Sequence, residues 1–219
     1  MFTLFNGESF DYIGSSKMMY DMKNNKFPEE ITSNDEPKEQ WPLVDIESIS
    51  AHLELGQLFN YDDTSNDIFA HVDSEFDDQN GLLSTIKSEA TKSGLNVKDS
   101  SSKILPPASI QTTLKASRRI PAILLSNFDN SYKNNFYHSL YDSAETHNYT
   151  HKEKDSKLVE HLAKISETVA RVVYETVGAT DKTFEFQANK TLINDLIQCY
   201  TVTAKCEMFS AVANADFGR

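Results

Sequence analysis

The fold is decided by the stretch Phe5-Asn6-Gly7-Glu8-Ser9-Phe10-Asp11-Tyr12-Ile13-Gly14-Ser15-Ser16. The apolar, β-prone residues 2–5 lead into it and predict a buried strand that ends in the Asn6-Gly7 turn. Helical spacing follows from about residue 11 to residue 22. Enzymes with α/β folds commonly place working groups where a buried strand passes into a helix, and Glu8 stands at such a point. Glu8 could equally be a first-turn acid that favours the helix dipole.

Strand and helix patterns alternate along the rest of the chain. Short strands are predicted at 53–59, 68–72 and 120–125, and helices at 82–90, 110–114, 157–177 and 190–201. Ser109 can cap the second of these helices, and Asp155 or Ser156 can cap the third. Residues 98–103 are predicted to be a polar linker, and residues 29–50 an exposed loop insertion. This alternation predicts an α/β layered fold.

The composition is that of a folded, strongly acidic protein. Apolar residues make up 39% of the 219 positions and aromatic residues 11%, which excludes a disordered chain. The net charge of −12 repels phosphate backbones and excludes nucleic acid from the expected partners. The basic cluster Lys115, Arg118 and Arg119 is predicted to lie at the negative end of a helix dipole.

The two cysteines, Cys199 and Cys206, allow two interpretations. They are too few for a disulfide scaffold and lack the spacing of a zinc finger. On one straight helix their positions would lie ~10 Å apart, which is too far for a bond. A disulfide therefore requires the helix to end near residues 201–203, and two buried free thiols are the alternative.

Residues 6–15 resemble a motif of the zinc aminopeptidase superfamily, in which two adjacent glutamates precede a Gly-Leu-x-Gly-Ser turn. The resemblance implies that Glu8 matches the general base that activates the metal-bound water. It also implies that Ser9 replaces a glutamate that binds zinc. A serine hydroxyl is neutral near pH 7 and is a poor zinc ligand. We therefore expect a pseudo-peptidase without metal or cofactor; the alternative is an active zinc-dependent aminopeptidase.

A second segment, residues 136–143, resembles the element that holds the last zinc-binding histidine of that superfamily. The resemblance implies that His138 is a relic of this metal position. Catalytic zinc needs three protein ligands, and the His and Asp of the superfamily motif normally precede the position of Glu8. We expect His138 to donate a hydrogen bond to a loop carbonyl or to a carboxylate such as Asp142.

Within this superfamily the sequence is similar to the nicastrin family. The pattern Phe-x-Gly-Glu-x-Phe-Asp-Tyr-Ile-Gly-Ser-Ser-Lys/Arg-Met-x-Tyr-Asp-Met, followed by Lys-Phe-Pro, runs unbroken through residues 5–28. The similarity returns at 53–57, 105–109 and 136–148 and in the helix that ends at 175. It implies a zinc-exopeptidase-like (aminopeptidase- and transferrin-receptor-like) fold, a mixed sheet flanked by helices. Residues 1–219 are then expected to be the C-terminal portion of the aminopeptidase-like ectodomain, truncated at both ends, without signal peptide or transmembrane helix.

The resemblance also implies a function. Nicastrins are non-catalytic subunits of the γ-secretase complex, where presenilin supplies the catalytic aspartates and two smaller membrane subunits complete the assembly. Substrates are stubs of type I membrane proteins such as Notch and the amyloid precursor protein. The full-length protein would be a single-pass membrane protein on the lumenal or extracellular side of the ER, Golgi and plasma membrane.

The same resemblance makes Glu8, Asp11 and Tyr12 candidates for recognising the free end of a substrate. The alternative is steric gating, in which Glu8 and Asp11 only hold the turn in shape and Tyr12 packs in the core. A receptor-like ectodomain of the same fold with unrelated ligands is a third hypothesis.

Two glycosylation sequons fit a lumenal or extracellular location. They are Asn148-Tyr149-Thr150, in a predicted exposed loop, and Asn189-Lys190-Thr191. Asn189 is also a suitable N-cap for the last predicted helix, so its sequon has a purely structural alternative.

Overall fold

The computed structural model describes residues 1–28, 42–58, 65–78, 80–137, 139–146, 149, 156–181 and 183–212. Its helices are α1 (Ile13–Lys23), α2 (Leu82–Lys92), α3 (Ile110–Ala116), α4 (Lys157–Thr176), α5 (Lys190–Thr201) and α6 (Glu207–Val212). Its strands are β1 (His52–Leu55), β2 (Asp67–His71), β3 (Asn96–Asp99) and β4 (Ala122–Ser126), and a short 3-10 helix spans Ile46–Ser48. Within these ranges, no helix combines the length and apolar character that a membrane span requires.

The four strands hydrogen-bond in the order β1-β4-β2-β3. β2 and β3 run parallel, with Ile68 opposite Val97, and α2 supplies the crossover that parallel neighbours require. All five residues of β4 are buried, as the continuous apolar sequence Ala-Ile-Leu-Leu predicts for an inner strand. The predicted mixed α/β fold, a sheet flanked by helices, is confirmed.

One compact unit consists of Met1–Gly56, His71–Asn80 and Ser102–Leu124. Within it α1 packs against α3 and against the 3-10 helix, and α3 packs against β1. Met19 and Met22, three residues apart on one face of α1, are buried in a cluster with Ile46 and Ile120. This apolar face fixes α1 on the unit, and the start of α1 therefore has a defined position beside α3.

The other unit consists of Gln57–Ala70, Gly81–Ser101 and Leu125–Arg219. Its longest helix, α4, packs against α2 and α5, and Val159 of α4 is buried with Ile197 of α5. Ser156 caps α4 by accepting a hydrogen bond from the Val159 N–H at 3.2 Å, while the other predicted cap, Asp155, lies outside the described residues. The predicted bounds of α4 and α5 agree with the structure within one residue.

The predicted strand at residues 2–5 is wrong. Phe2 and Leu4 are 82% and 97% exposed, and the segment belongs to no strand of the described part of the chain. Apolar β-prone side chains favour extended structure, but a strand forms only where a neighbour satisfies its backbone hydrogen bonds.

Among the described residues, three elements were not predicted: β3, α6 and the 3-10 helix Ile46–Ser48. β3 overlaps the predicted polar linker 98–103. It was missed because only Val97 among its four residues is buried and the sequence shows no apolar alternation. The short helix α6 gave no recognisable pattern. Of the predicted loop insertion 29–50, residues 29–41 lie outside the described residues, and Ile46 in the remainder is buried.

The basic cluster does not act as a group at a helix end. Lys115 lies in the last turn of α3, as predicted, but Arg118 and Arg119 lie beyond that helix. Arg118 forms an ion pair with Asp73 at 3.2 Å, and Arg119 pairs with Glu47. These two arginines therefore pair with nearby carboxylates, and the predicted position within the last turn of the helix is confirmed for Lys115.

Candidate functional site

The candidate site is the turn that leads from Gly7 into α1. Gly7, Asp11 and Tyr12 have φ angles of 74°, 61° and 59°, in the left-handed region. Glycine enters this region freely and aspartate tolerates it, but a tyrosine there costs on the order of 1–3 kcal/mol. Hydrogen bonds from Phe10 N–H to the Gly7 carbonyl and from Tyr12 N–H to the Glu8 carbonyl close the turn at 3.0 and 3.1 Å. Such a conformation persists only where surrounding contacts hold it.

The side chain of Glu8 supplies these contacts. Its Oε1 accepts a hydrogen bond from the Ser15 backbone N–H at 2.9 Å, and its Oε2 accepts one from the Ser15 hydroxyl at 2.7 Å. The Ser109 hydroxyl also donates to Oε2. With the backbone N–H of Gly14, four donors serve a group that has about four acceptor positions.

These donors control the charge of Glu8. Burial raises the pKa of the Glu8 carboxyl, but the hydrogen bonds from Ser109, Ser15 and Gly14 outweigh burial and hold the pKa below its usual value. Glu8 is therefore an ionised carboxylate whose charge is stabilised by hydrogen bonds within the fold.

A second carboxylate, Glu54 of β1, lies in the same network. It accepts hydrogen bonds from the backbone N–H groups of Ser109 at 3.0 Å and Ile110 at 2.5 Å. Burial raises the pKa of Glu54, and the charge of Glu8 raises it further against the lowering effect of these two bonds. The prediction that Ser109 caps α3 with its own side chain is wrong, because Glu54 occupies that role and the Ser109 hydroxyl is turned to Glu8.

Gly14 is required by the same geometry. A Cβ at this position would lie 2.5 Å from the Asn6 carbonyl oxygen and 3.0 Å from Glu8 Oε1. Both distances are shorter than van der Waals contact. A residue without a side chain thus allows the first turn of α1 to approach the Gly7 turn closely.

The three residues predicted to recognise a substrate differ in their exposure to solvent. Glu8 is half-buried, and its carboxylate oxygens already accept the hydrogen bonds described above. Tyr12 is half-buried at the N-cap of α1. Asp11 is exposed, and its neighbours Phe10 and Ile13 are 73% and 59% exposed. The turn therefore presents one accessible carboxylate between two accessible apolar side chains.

The described residues do not fit a zinc ion at this turn. Ser9 is exposed and brings only a hydroxyl, and the oxygens of Glu8 are committed to serine and backbone donors. Among the residues with described positions, no group of three His, Cys, Asp or Glu side chains has the arrangement of a metal site. His138, the predicted relic of the metal position, lies outside the described residues.

The remaining predicted sites lie elsewhere. Cys199 and Cys206 form a disulfide with a Cα–Cα distance of 5.3 Å, and α5 ends at Thr201, as such a bond requires. Asn189 is exposed and caps α5, and Asn148 lies outside the described residues.

Sequence reasoning missed Glu54 and Ser109 as partners of Glu8. They lie far from it along the chain, and nothing in their local pattern marks a polar network. A signal was nevertheless present, because Glu54 and Ser109 fall in the two short segments, 53–57 and 105–109, where the family resemblance returns after a gap.

Comparison with known proteins gives one consistent result. A family model described as "Nicastrin large lobe" matches residues 1–174. A protein named Nicastrin from Mus musculus is 33% identical over 99% of this chain, one from Homo sapiens 30% over 99%, and one from Caenorhabditis elegans 26% over 90%. The chain spans about 30% of the length of the mouse and human relatives.

The solved structures show the same likeness in the fold. The crystal structure of the gamma-secretase component Nicastrin superimposes with a TM-score of 0.71 at 20% sequence identity. The superposition covers 96% of this chain and 36% of the nicastrin chain.

Proposed function

This chain belongs to the nicastrin family, and from that premise we propose that it is part of a non-catalytic subunit of the γ-secretase complex. In this proposal it forms the C-terminal portion of the aminopeptidase-like ectodomain, on the lumenal or extracellular side of the membrane. Presenilin and two smaller membrane subunits are its partners, and presenilin performs the cleavage. The substrates are stubs of type I membrane proteins such as Notch and the amyloid precursor protein.

The non-catalytic proposal rests on one observation: the carboxylate oxygens of Glu8 already accept hydrogen bonds from other residues of the fold. A general base must have an oxygen available to the proton that it removes. The Glu8 oxygens instead accept hydrogen bonds from Ser15 and Ser109, and the neighbouring Ser9 offers a hydroxyl where a zinc peptidase needs a second carboxylate. These contacts favour a structural brace over the alternative of an active aminopeptidase.

Within the complex, the exposed turn is the surface proposed to meet the substrate. Asp11 can pair with the ammonium group at the free end of a stub, and Phe10 and Ile13 can contact its first side chains. Glu8 holds this turn in shape. In the competing steric-gate account, the bulk of the ectodomain excludes long substrates and the charge of Asp11 has no role.

The experiment compares Asp11→Asn with wild type in the full-length protein assembled in its membrane complex. One stub substrate carries a free amino terminus and a second carries an acetylated one. An exposed ion pair of about 0.5–1 kcal/mol predicts a KM raised roughly twofold to fivefold for the free stub. The acetylated stub should be unaffected.

Glu145→Gln, which removes an exposed carboxylate in the other compact unit, is the matched control. An equal effect of Asp11→Asn on both stubs, or no effect on either, would reject the pairing and favour the steric gate. Stoichiometric zinc together with peptide hydrolysis that chelation abolishes would instead reject the non-catalytic role.

A further inference from the structure

Ser109 connects two carboxylates that come from distant parts of the chain. Its hydroxyl donates to Glu8, 101 residues away in sequence. Its backbone N–H donates to Glu54, 55 residues away, at 3.0 Å. Ser109 is 7% exposed, so water competes little for either bond.

The arrangement depends on a division of roles at the start of α3. A serine before a helix normally turns its hydroxyl toward the N–H groups of the first turn of that helix. Here Glu54 accepts from Ser109 N–H and Ile110 N–H, and the Ser109 side chain makes no hydrogen bond to its own helix. The carboxylate of β1 thereby releases the hydroxyl for Glu8.

The two serines that contact Glu8 have different effects. Ser15 belongs to α1, so its bonds fix Glu8 relative to the helix that the turn itself begins. Ser109 precedes α3, which packs against both α1 and β1, so its bond fixes Glu8 relative to the rest of the unit. Ser15 keeps the turn closed on α1, and Ser109 adds a direct hydrogen bond between the turn and the start of α3.

We infer that Ser109 is a positioning residue for the turn at residues 9–13. Through Glu8 it sets where Asp11, Phe10 and Ile13 are presented, and Glu54 sets the orientation of Ser109. The consequence for substrate affinity rests on the function proposed above, whereas the positioning of the turn does not.

The test uses the full-length protein in its membrane complex with Ser109→Ala and Ser109→Thr. Hydrogen–deuterium exchange is followed in a peptide that covers residues 9–15, which includes the Ser15 amide that donates to Glu8. We expect exchange to be about threefold to tenfold faster in Ser109→Ala, and near wild type in Ser109→Thr, which keeps a hydroxyl donor. Ser101→Ala, which removes an exposed serine hydroxyl bonded to Asp129 at 2.7 Å, is the matched control.

Steady-state kinetics on the free and acetylated stubs complete the test. We expect Ser109→Ala to raise KM about threefold for the free stub, with kcat within twofold of wild type, and to raise KM by a smaller factor for the acetylated stub, which keeps only the contacts with Phe10 and Ile13. Unchanged exchange at residues 9–15 would overturn the positioning role. Faster exchange with unchanged KM would support that role and reject the proposed substrate contact.

Should Ser109→Ala fail to assemble, Ser109→Cys provides the second variant, because a thiol fills the site but donates weakly. Exchange between that of wild type and that of an unfolded control supports the inference, and exchange equal to wild type overturns it.

Discussion

At the scale of single residues, the site contains two carboxylates with opposite pKa shifts that share one serine. Hydrogen bonds lower the pKa of Glu8 below its usual value, and burial raises that of Glu54 above its own. Linkage therefore gives them opposite pH dependences. Glu8 stabilises the fold above its unfolded pKa, and this contribution is lost as pH falls. The contribution of Glu54 is present at low pH and is lost as pH rises through its raised pKa.

The first prediction concerns Glu8→Gln. An amide can accept fewer hydrogen bonds than a carboxylate, and it places an NH₂ group against serine and backbone donors. We expect a loss of ~1–2 kcal/mol at pH 7, which is the magnitude of a charge-assisted bond reduced for partial exposure. Thermal unfolding of the full-length protein from pH 7 to pH 3.5 measures it, and the difference from wild type should shrink below about pH 5.

Comparison with wild type at each pH removes the titration of other groups, such as His52 of β1, from the result. Glu54→Gln is the matched variant, and its difference from wild type should vary with pH in the opposite direction. A Glu8→Gln difference that stays constant across this range would contradict the assigned charge.

At the scale of elements, the start of α1 depends on Gly14. Alanine is favoured over glycine within helices by roughly 0.5–1 kcal/mol, so propensity alone predicts that Gly14→Ala stabilises α1. The added Cβ would lie 2.5 Å from the backbone oxygen of Asn6, so the backbone that leads into the Gly7 turn would have to move. We therefore expect a net loss of ~1–3 kcal/mol, as in other overpacked sites.

Denaturant unfolding of the full-length protein measures this loss. Ser16→Ala, an exposed position two residues further along α1, is the control and should be neutral or slightly stabilising. Equal stability of Gly14→Ala and wild type would show that the close approach of the two segments does not constrain the site.

The elements also show what local sequence can predict. α4 and α5 carry long apolar stripes and side-chain caps, and their bounds could be predicted closely because both signals are local. The strand predictions were wrong in two ways: β3 was missed, and residues 2–5 were predicted as a strand that does not form. Both errors arise because strand formation depends on a neighbouring strand that the local pattern does not specify. The Glu8–Ser109–Glu54 network could not be predicted for a similar reason, because its members meet only after α1, β1 and α3 have packed together.

At the scale of the whole molecule, the family is a better guide than periodicity. The motif at residues 5–28 predicted the nicastrin family, and the family model and the fold comparison agree with that assignment. The charge of −12 only narrowed the classes of partner, and the sequons only favoured a lumenal or extracellular location. The sequence could not predict which turn residue is exposed. The exposure of Asp11 depends on the left-handed backbone conformation of Asp11 and Tyr12, which few tyrosines adopt.

A prediction at this scale tests the proposed lumenal or extracellular location. The Oδ1 atom of Asn189 accepts a hydrogen bond from the Leu192 N–H at 3.0 Å, and Asn189 and Thr191 are both exposed. A glycan joined to Nδ2 would leave that cap intact, so the sequon and the cap are compatible. We expect the full-length protein from its native membrane to carry a glycan at Asn189, detected by the mass change on enzymatic deglycosylation.

Asn189→Asp keeps a good N-cap and removes the acceptor, and Thr191→Ala removes the sequon while leaving Asn189 in place. Both should lose the glycan, and Thr191→Ser should keep it. Identical glycopeptide profiles in wild type and Asn189→Asp would contradict the prediction. Glycosylation at Asn148 stays a prediction of the sequence.

The bond between Cys199 and Cys206 has a practical consequence for anyone who produces this protein. In a reducing bacterial cytosol the two sulfurs would persist as thiols, and the corner between α5 and α6 would depend on contacts such as the Tyr200–Phe209 ring pair, with centroids 5.1 Å apart. Both cysteine residues are buried, 4% and 6% exposed, so later oxidation in a refolding buffer would require that corner to open. Expression with export through an oxidising secretory compartment is therefore the suitable route to homogeneous material.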